Sequence, residues 1–228
     1  MKVSLRSPLM LPRLAWIDPA LCLSMSPELT ASTGMDALSQ TLEAFVCHSP
    51  NALTDPLCGE AMEIAAQALP RAHAAGDDVE ARRGMSYVSL VGGLALANAR
   101  LGAVHGFAAP LGGMFDAPHG ALCAALLAPV MRVNVAALRE RAPAHPSLER
   151  YAEVARLLSG RSGARPEEGA DWVETLCRHL RVRPLRDYGV SEADFEIVSA
   201  KAAEASSMKG NPIPLTPGER EEILALAL

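Results

Sequence analysis

Six histidines occur along the chain, and two of them stand where an imidazole needs a reason. His48, His73, His145 and His179 fall near expected helix ends or in polar stretches, where an exposed imidazole requires no special account. His105 and His119 instead sit in apolar, glycine-rich segments. A buried imidazole there must be hydrogen-bonded or bound to a metal. Asp36 adds a carboxylate one turn into an apolar helical pattern, and helical spacing puts Gln40 on the same face. One carboxylate and two imidazoles form a donor set for Zn²⁺ or Fe²⁺ with positions left for water or substrate. His105 and His119 belong to different elements, so spacing alone leaves a plainer alternative open, in which both are satisfied core residues.

Other familiar catalytic patterns are missing. The chain has no G-x-G-x-x-G, no G-x-x-x-x-G-K-[ST], no H-E-x-x-H and no G-x-S-x-G. It therefore carries no recognisable nucleotide-cradling loop, zincin helix or nucleophile elbow. Cys22, Cys47, Cys58, Cys123 and Cys177 are odd in number and form no C-x-x-C pair, which predicts reduced thiols rather than a disulfide framework or a zinc ribbon.

The elements that would position these groups are mostly helical. In the first 27 residues Val3, Leu5, Leu9, Leu11 and the run Leu14 to Ile17 are interrupted by Pro8, Pro12, Pro19 and Pro27. Such prolines exclude a helix and predict one or two short strands. A first helix follows, with Ser32 or Thr33 as N-cap and an apolar stripe at Met35, Leu38, Leu42, Phe45 and Val46. Asp55-Pro56 opens a second helix that ends near Gly76. A third, over 79–99, mixes small and bulky residues as a central helix does. Between Arg100 and Gly120 the glycines and prolines predict a short helix around His105 and then a tight loop. An almost wholly apolar helix covers 121–138, and further helices follow over 148–158, 167–180, 191–205 and 217–227, the last two opened by Ser191-x-x-Asp194 and Thr216-x-x-Glu219.

Half of the 228 residues are apolar and 21% are charged, which excludes a disordered chain. Two Trp, three Tyr and four Phe are too few for a β-sandwich or barrel. A net charge of −5 leaves no electrostatic footprint for nucleic acid or an anionic membrane. The run Val88 to Ala97 is read as the greasiest and is too short to span a bilayer, and Met1 to Pro12 lacks the pattern of a signal peptide. A cytoplasmic protein is expected.

Four blocks carry a resemblance: Thr33-Gly34-Met35-Asp36-Ala37-Leu38-x-Gln40-x-x-Glu43; Ala97-Asn98-Ala99-x-Leu101-Gly102-Ala103-Val104-His105-Gly106; Pro110-Leu111-Gly112-Gly113; and Pro118-His119-Gly120. Together and in this order they closely resemble the iron-containing, group III, alcohol dehydrogenase family, over nearly the whole chain. The resemblance implies an all-α, multi-helix domain of the dehydroquinate synthase-like C-terminal type with a short β lead. Residues 1–27 would be the strand-like remnant of an absent nucleotide-binding domain, and 28–228 the helical metal-binding and substrate domain. Val3–Leu5 and Leu14–Ile17 would then be orphan strands with sticky, unpaired edges.

In that family the metal is held by an aspartate, a histidine four residues later on the same helix, and two histidines fourteen apart. Asp36, His105 and His119 match three of these positions, and Gln40 replaces the helical histidine with an amide oxygen as a further, weaker ligand. The related glycerol dehydrogenases manage with one aspartate and two histidines. Ala109 stands where many members have a histidine close to the nicotinamide and substrate, and Arg100 where glycine is common. Phe45, Leu101 and Phe107 are candidates for the apolar wall of a substrate pocket, or equally for the core.

The resemblance thus implies an oxidoreductase domain: one Fe²⁺ or Zn²⁺ polarises the oxygen of a small alcohol or aldehyde, and NAD(P) is reached only through the missing domain. That domain would come from a separate nucleotide-binding chain, and a homo-oligomer is the other partner expected. Two alternatives stand beside this reading, a non-catalytic truncated remnant of the family and a maleylacetate reductase-type reductase of an oxo acid.

Overall fold

The structure is a computed structural model that describes residues 7–10 and 12–228. Its described residues form nine α-helices: α1 (Pro27–Val46), α2 (Asp55–Ala74), α3 (Val79–Asn98), α4 (Ala103–Met114), α5 (His119–Arg141), α6 (Ser147–Ser159), α7 (Pro166–His179), α8 (Phe195–Glu204) and α9 (Pro217–Ala227). Short 3-10 turns at Pro19–Cys22, Leu185–Tyr188, Glu192–Asp194 and Met208–Gly210 connect them. The expected all-helical class is what the chain forms.

α1 packs on α2, α3 and α5, while α5 also contacts α4, α7 and α9, so these two helices form the centre of the bundle. Met35, Leu38, Leu42, Leu122, Leu126, Leu127 and Met131 are fully buried between them and their neighbours. α5 is the one described helix long and apolar enough to cross a membrane, and 78% of its most apolar window is buried inside the protein. It is the core helix of the bundle, and a helix buried on most sides is apolar on most sides.

Several boundaries differ from those expected. α1 begins at Pro27, not after Ser32 or Thr33, because the Ser26 hydroxyl accepts the Leu29 N–H at 3.1 Å and Pro27 takes the first helical position. Thr33 lies inside the helix and donates its hydroxyl back to the Leu29 carbonyl at 2.8 Å. α4 runs on through Pro110, Gly112 and Gly113 to Met114. Val104, Phe107, Ala108 and Leu111 are all fully buried, and that packing offsets the hydrogen bond which Pro110 cannot make. The tight loop is confined to the four residues 115–118, so His119 opens α5 instead of preceding it. The helix expected over 191–205 begins with a 3-10 turn and continues as α8.

Val3–Leu5 lies outside the described residues. Among the described residues of the lead there is no strand: Leu14–Ile17 is irregular, with no neighbouring strand to pair with, and Leu14 and Trp16 are largely exposed. The lead is held to the bundle by Arg82 of α3. Its buried guanidinium donates to the carbonyls of Gly76 (2.9 Å) and Met25 (3.2 Å) and to the Thr30 hydroxyl (2.8 Å).

Candidate metal centre

Asp36 of α1, His105 of α4, and His119 and Cys123 of α5 converge on one point, each offering a donor atom within 4.8 Å of the other three. Asp36 Oδ1 lies 3.2 Å from His105 Nε2 and 3.9 Å from His119 Nε2. Cys123 Sγ lies 3.9 Å from His105 Nε2 and 3.7 Å from His119 Nε2. Cys123 and His105 are buried, whereas Asp36 and His119 are partly open to solvent. The cluster thus has a buried end and a partly accessible end.

One close approach of backbone and one sharp bend create this convergence. A Cβ on Gly120 would lie 2.5 Å from the carbonyl oxygen of Ser32, so α5 can meet α1 there only without a side chain. Ser32 is one turn before Asp36 and Gly120 is next to His119, so the contact brings the two donors together. α4 leaves α3 at 97°, which turns its first residues toward α1.

The N-terminus of α4 is then locked by a side chain from α1. The buried Glu43 carboxylate accepts the Val104 N–H at 2.6 Å and the His105 N–H at 3.4 Å, and lies 2.7 Å from His105 Nδ1. The Asn211 side-chain oxygen accepts the Ala103 N–H at 3.2 Å. Three N–H groups that the helix leaves unpaired are satisfied, and a negative charge sits at its positive end. With Nδ1 committed to Glu43, Nε2 of His105 faces the cluster, as in the carboxylate–histidine arrangement that orients metal-ligating imidazoles. Gly102 makes room for this: a Cβ there would lie 2.9 Å from Glu43 Oε1.

Burial alone would depress the His105 pKa, but hydrogen bonding with Asp36, Cys123 and Glu43 outweighs it and raises the imidazole to about 12. For Asp36, burial works toward a higher value, while the His105 hydrogen bond and the charges of His105 and His119 bring the carboxyl below its ordinary range. Burial pushes the Cys123 thiol up to about 11, against the opposing pull of His105. The His105 imidazole thus bridges Asp36 and Glu43, its Nε2 toward the one and its Nδ1 toward the other. A divalent cation would join Asp36 to the imidazoles in the same way, and the oxygen, nitrogen and sulfur donors suit one.

The remaining expected residues are placed as follows. Gln40 lies one turn after Asp36 on α1, with its amide oxygen 2.5 Å from where a Cβ of Gly92 would stand, so it packs against α3. Phe45 and Phe107 belong to the hydrophobic core, and Leu101 is buried. The Arg150 guanidinium lies 4.1 Å above the Phe45 ring. Ala109 and Arg100 are exposed. Two residues had no assigned role in the sequence reading. Cys123 is four residues from His119 on one helix, and that spacing was the available signal; Glu43 stood within the resembling block, but nothing local indicated that its carboxylate reaches α4.

A groove of about 970 Å³ is lined by Ser32 of α1 and by Pro118, Ala121 and Ala124, but by none of the four donors. His73, His179, Arg181 and Arg183 give another part of its wall a cationic character.

The model of the Fe-containing alcohol dehydrogenase family, C-terminal, matches residues 30–228. The 1,3-propanediol dehydrogenase of Klebsiella pneumoniae is 35% identical over 222 residues, which are 95% of this chain and 54% of that protein. Alcohol dehydrogenase 4 of Schizosaccharomyces pombe is 36% identical over 219 residues, covering 96% of this chain and 50% of its own length. A crystal structure of 1,3-propanediol oxidoreductase superimposes with a TM-score of 0.83 at 34% identity, covering 92% of this chain and 55% of that one. The chain spans about half the length of the curated relatives it matches.

Proposed function

The chain belongs to the iron-containing alcohol dehydrogenase family, and from that premise we propose that it is the metal-binding, substrate-side domain of an NAD(P)-dependent enzyme that interconverts a small alcohol and its aldehyde. The convergence of Asp36, His105 and His119 from three helices onto one partly open point carries this reading. Its two alcohol-acting relatives, a 1,3-propanediol dehydrogenase and an alcohol dehydrogenase, support the substrate class. Residues 28–228 are the helical domain, and NAD(P) would be held by a nucleotide-binding domain on a separate chain. The protein is cytoplasmic and has no nucleic-acid or membrane partner.

Asp36, His105 and His119 would hold Fe²⁺ or Zn²⁺, which when bound supplies Lewis-acid polarisation of the substrate oxygen. We leave Gln40 out of this set because its amide oxygen is packed against Gly92. Glu43 fixes the imidazole of His105 by accepting from Nδ1, which leaves Nε2 for the ion once its proton has gone to solvent. Asp36 and His119, the two partly open donors, mark the side from which the substrate would approach.

Ala109 gives no proton-relay side chain at its position on α4, and this favours a second reading in which the chain keeps the family fold without turnover. The two are separated by supplying the metal-loaded chain with the separately produced nucleotide-binding half of a relative and following oxidation of NADH by a small aldehyde. The enzymatic reading expects turnover that needs both components and is lost in His119→Ala. No turnover from a mixture shown to associate would leave the fold-only reading.

A further inference from the structure

Resting on the metal-site reading above, we infer that Cys123 provides a thiolate as a fourth protein ligand, making an oxygen, two-nitrogen, one-sulfur site that favours Zn²⁺ over Fe²⁺. In a tetrahedral zinc site, nitrogen and oxygen donors lie about 3.3 Å apart and a sulfur lies about 3.6 Å from a nitrogen, given the usual bond lengths. Asp36 Oδ1 and His105 Nε2 are 3.2 Å apart, Asp36 Oδ1 and His119 Nε2 3.9 Å, and Cys123 Sγ is 3.7 and 3.9 Å from the two imidazoles. Three of these four edges match those figures closely, the Asp36–His119 edge is longer, and all six lie within 4.8 Å.

The placement of Cys123 is rigid. It follows His119 by one turn on α5, so both donors project from the same face of one helix, next to the point where Gly120 meets Ser32. Its side chain is completely buried at the edge of the hydrophobic core, and its sulfur lies against a carboxylate and two imidazoles as well. Among the described residues, no other cysteine belongs to such a cluster.

A donor is also missing elsewhere. The position on α1 one turn after Asp36 bears Gln40, whose amide oxygen packs against Gly92. The thiolate restores a fourth donor from α5. As the sulfur–metal bond forms, the thiol proton and the Nε2 proton of His105 pass to solvent, leaving two neutral imidazoles, one carboxylate and one thiolate on the ion. A soft thiolate in such a set selects zinc over ferrous iron.

The test is cobalt(II) alone added to the metal-free chain, read by absorption spectroscopy, with Cys123→Ser and Cys123→Ala in parallel. The inference predicts a near-ultraviolet thiolate-to-cobalt charge-transfer band in the wild type that is lost in both variants, while they still bind cobalt through the other three ligands. Cobalt bound without that band, or a band that survives in Cys123→Ser, overturns the thiolate and leaves the three-ligand reading intact. No cobalt bound by the folded wild type overturns both. Should neither variant fold, X-ray absorption of the zinc-loaded wild type decides: one sulfur at about 2.3 Å supports the ligand, and a shell of nitrogen and oxygen alone overturns it.

Discussion

Glu43 Oε2 lies 2.7 Å from Nδ1 of His105, and the same carboxylate accepts the N–H of Val104 at 2.6 Å. One side chain from α1 thus orients a ligand on α4 and pairs the first turn of that helix. Glu43→Gln keeps the shape but removes the charge, and it replaces one accepting oxygen with a donor. Zinc affinity, measured by competition with a chromophoric chelator, should fall on the order of 10- to 100-fold. An unchanged affinity would mean that His105 is oriented by something else.

The close contact between Gly120 and Ser32 makes a second prediction. Gly120→Ala places a methyl carbon 2.5 Å from a backbone oxygen, so α1 and α5 must separate. Overpacking of this kind costs about 1–3 kcal/mol, and the separation should weaken metal binding as well. Gly93→Ala on α3 is the control, since nothing lies within 4 Å of a Cβ there. That variant should gain up to about 1 kcal/mol from helix propensity. Thermal unfolding of the two variants checks the contrast; equal effects would show that the helix contact is looser than the structure has it.

pH should act on the metal-free and metal-bound proteins in opposite directions. The His105 pKa is raised from 6.5 to about 12 in the metal-free fold. Its contribution to stability is therefore complete below pH 6.5 and is lost as pH rises toward 12. Metal binding must displace that proton, so affinity strengthens with pH, by about tenfold per unit for each proton released. Displacement from His105 alone gives a slope of about one; release from the Cys123 thiol as well gives about two. Zinc titrations across neutral pH measure the slope, and a flat profile would contradict the protonated His105.

A buried amide network behind the centre is the fourth target. Asn211 donates to Asn134 (2.7 Å) and to the Ile213 carbonyl (2.8 Å), and it accepts the Ala103 N–H (3.2 Å) at the start of α4. Asn134 in turn donates to the Tyr151 hydroxyl at 3.0 Å. Asn211→Ala leaves the Ala103 N–H and Asn134 short of partners, at a cost of about 1–3 kcal/mol for each group left unpaired. Urea denaturation should show this loss. A change within a few tenths of a kcal/mol would indicate that water replaces the amide.

Helices whose ends carry their own chemistry were readable from the sequence. Thr216 and Glu219 cap each other at the start of α9, whereas at α2 the helix starts at Asp55 itself, with Thr54 before it and no side-chain cap. The sequence pattern starts α1 six or seven residues too late because Ser32 and Thr33 resemble caps in isolation, whereas the Thr33 hydroxyl bonds back to Leu29 within the helix. Leu14–Ile17 alternates too little and has no strand beside it, so the apolar run forms none among the described residues. At the centre, the carboxylate and the two imidazoles were legible as unusual residues in apolar segments. Cys123 was not, because a thiol in an apolar helix reads as a small hydrophobic residue until the fold shows what it faces. Glu43 was missed for a related reason: its partners are 61 and 62 residues away on another helix.

The central claim is that this helical chain holds one divalent ion on Asp36, His105 and His119. Elemental analysis of protein purified without oxygen or chelator, beside His119→Ala treated identically, tests it most directly. The account predicts about one zinc or iron per chain in the wild type and little or none in the variant, since three or four donors of this kind define a single site. A folded wild type without metal, or a variant that retains it in full, would contradict the claim.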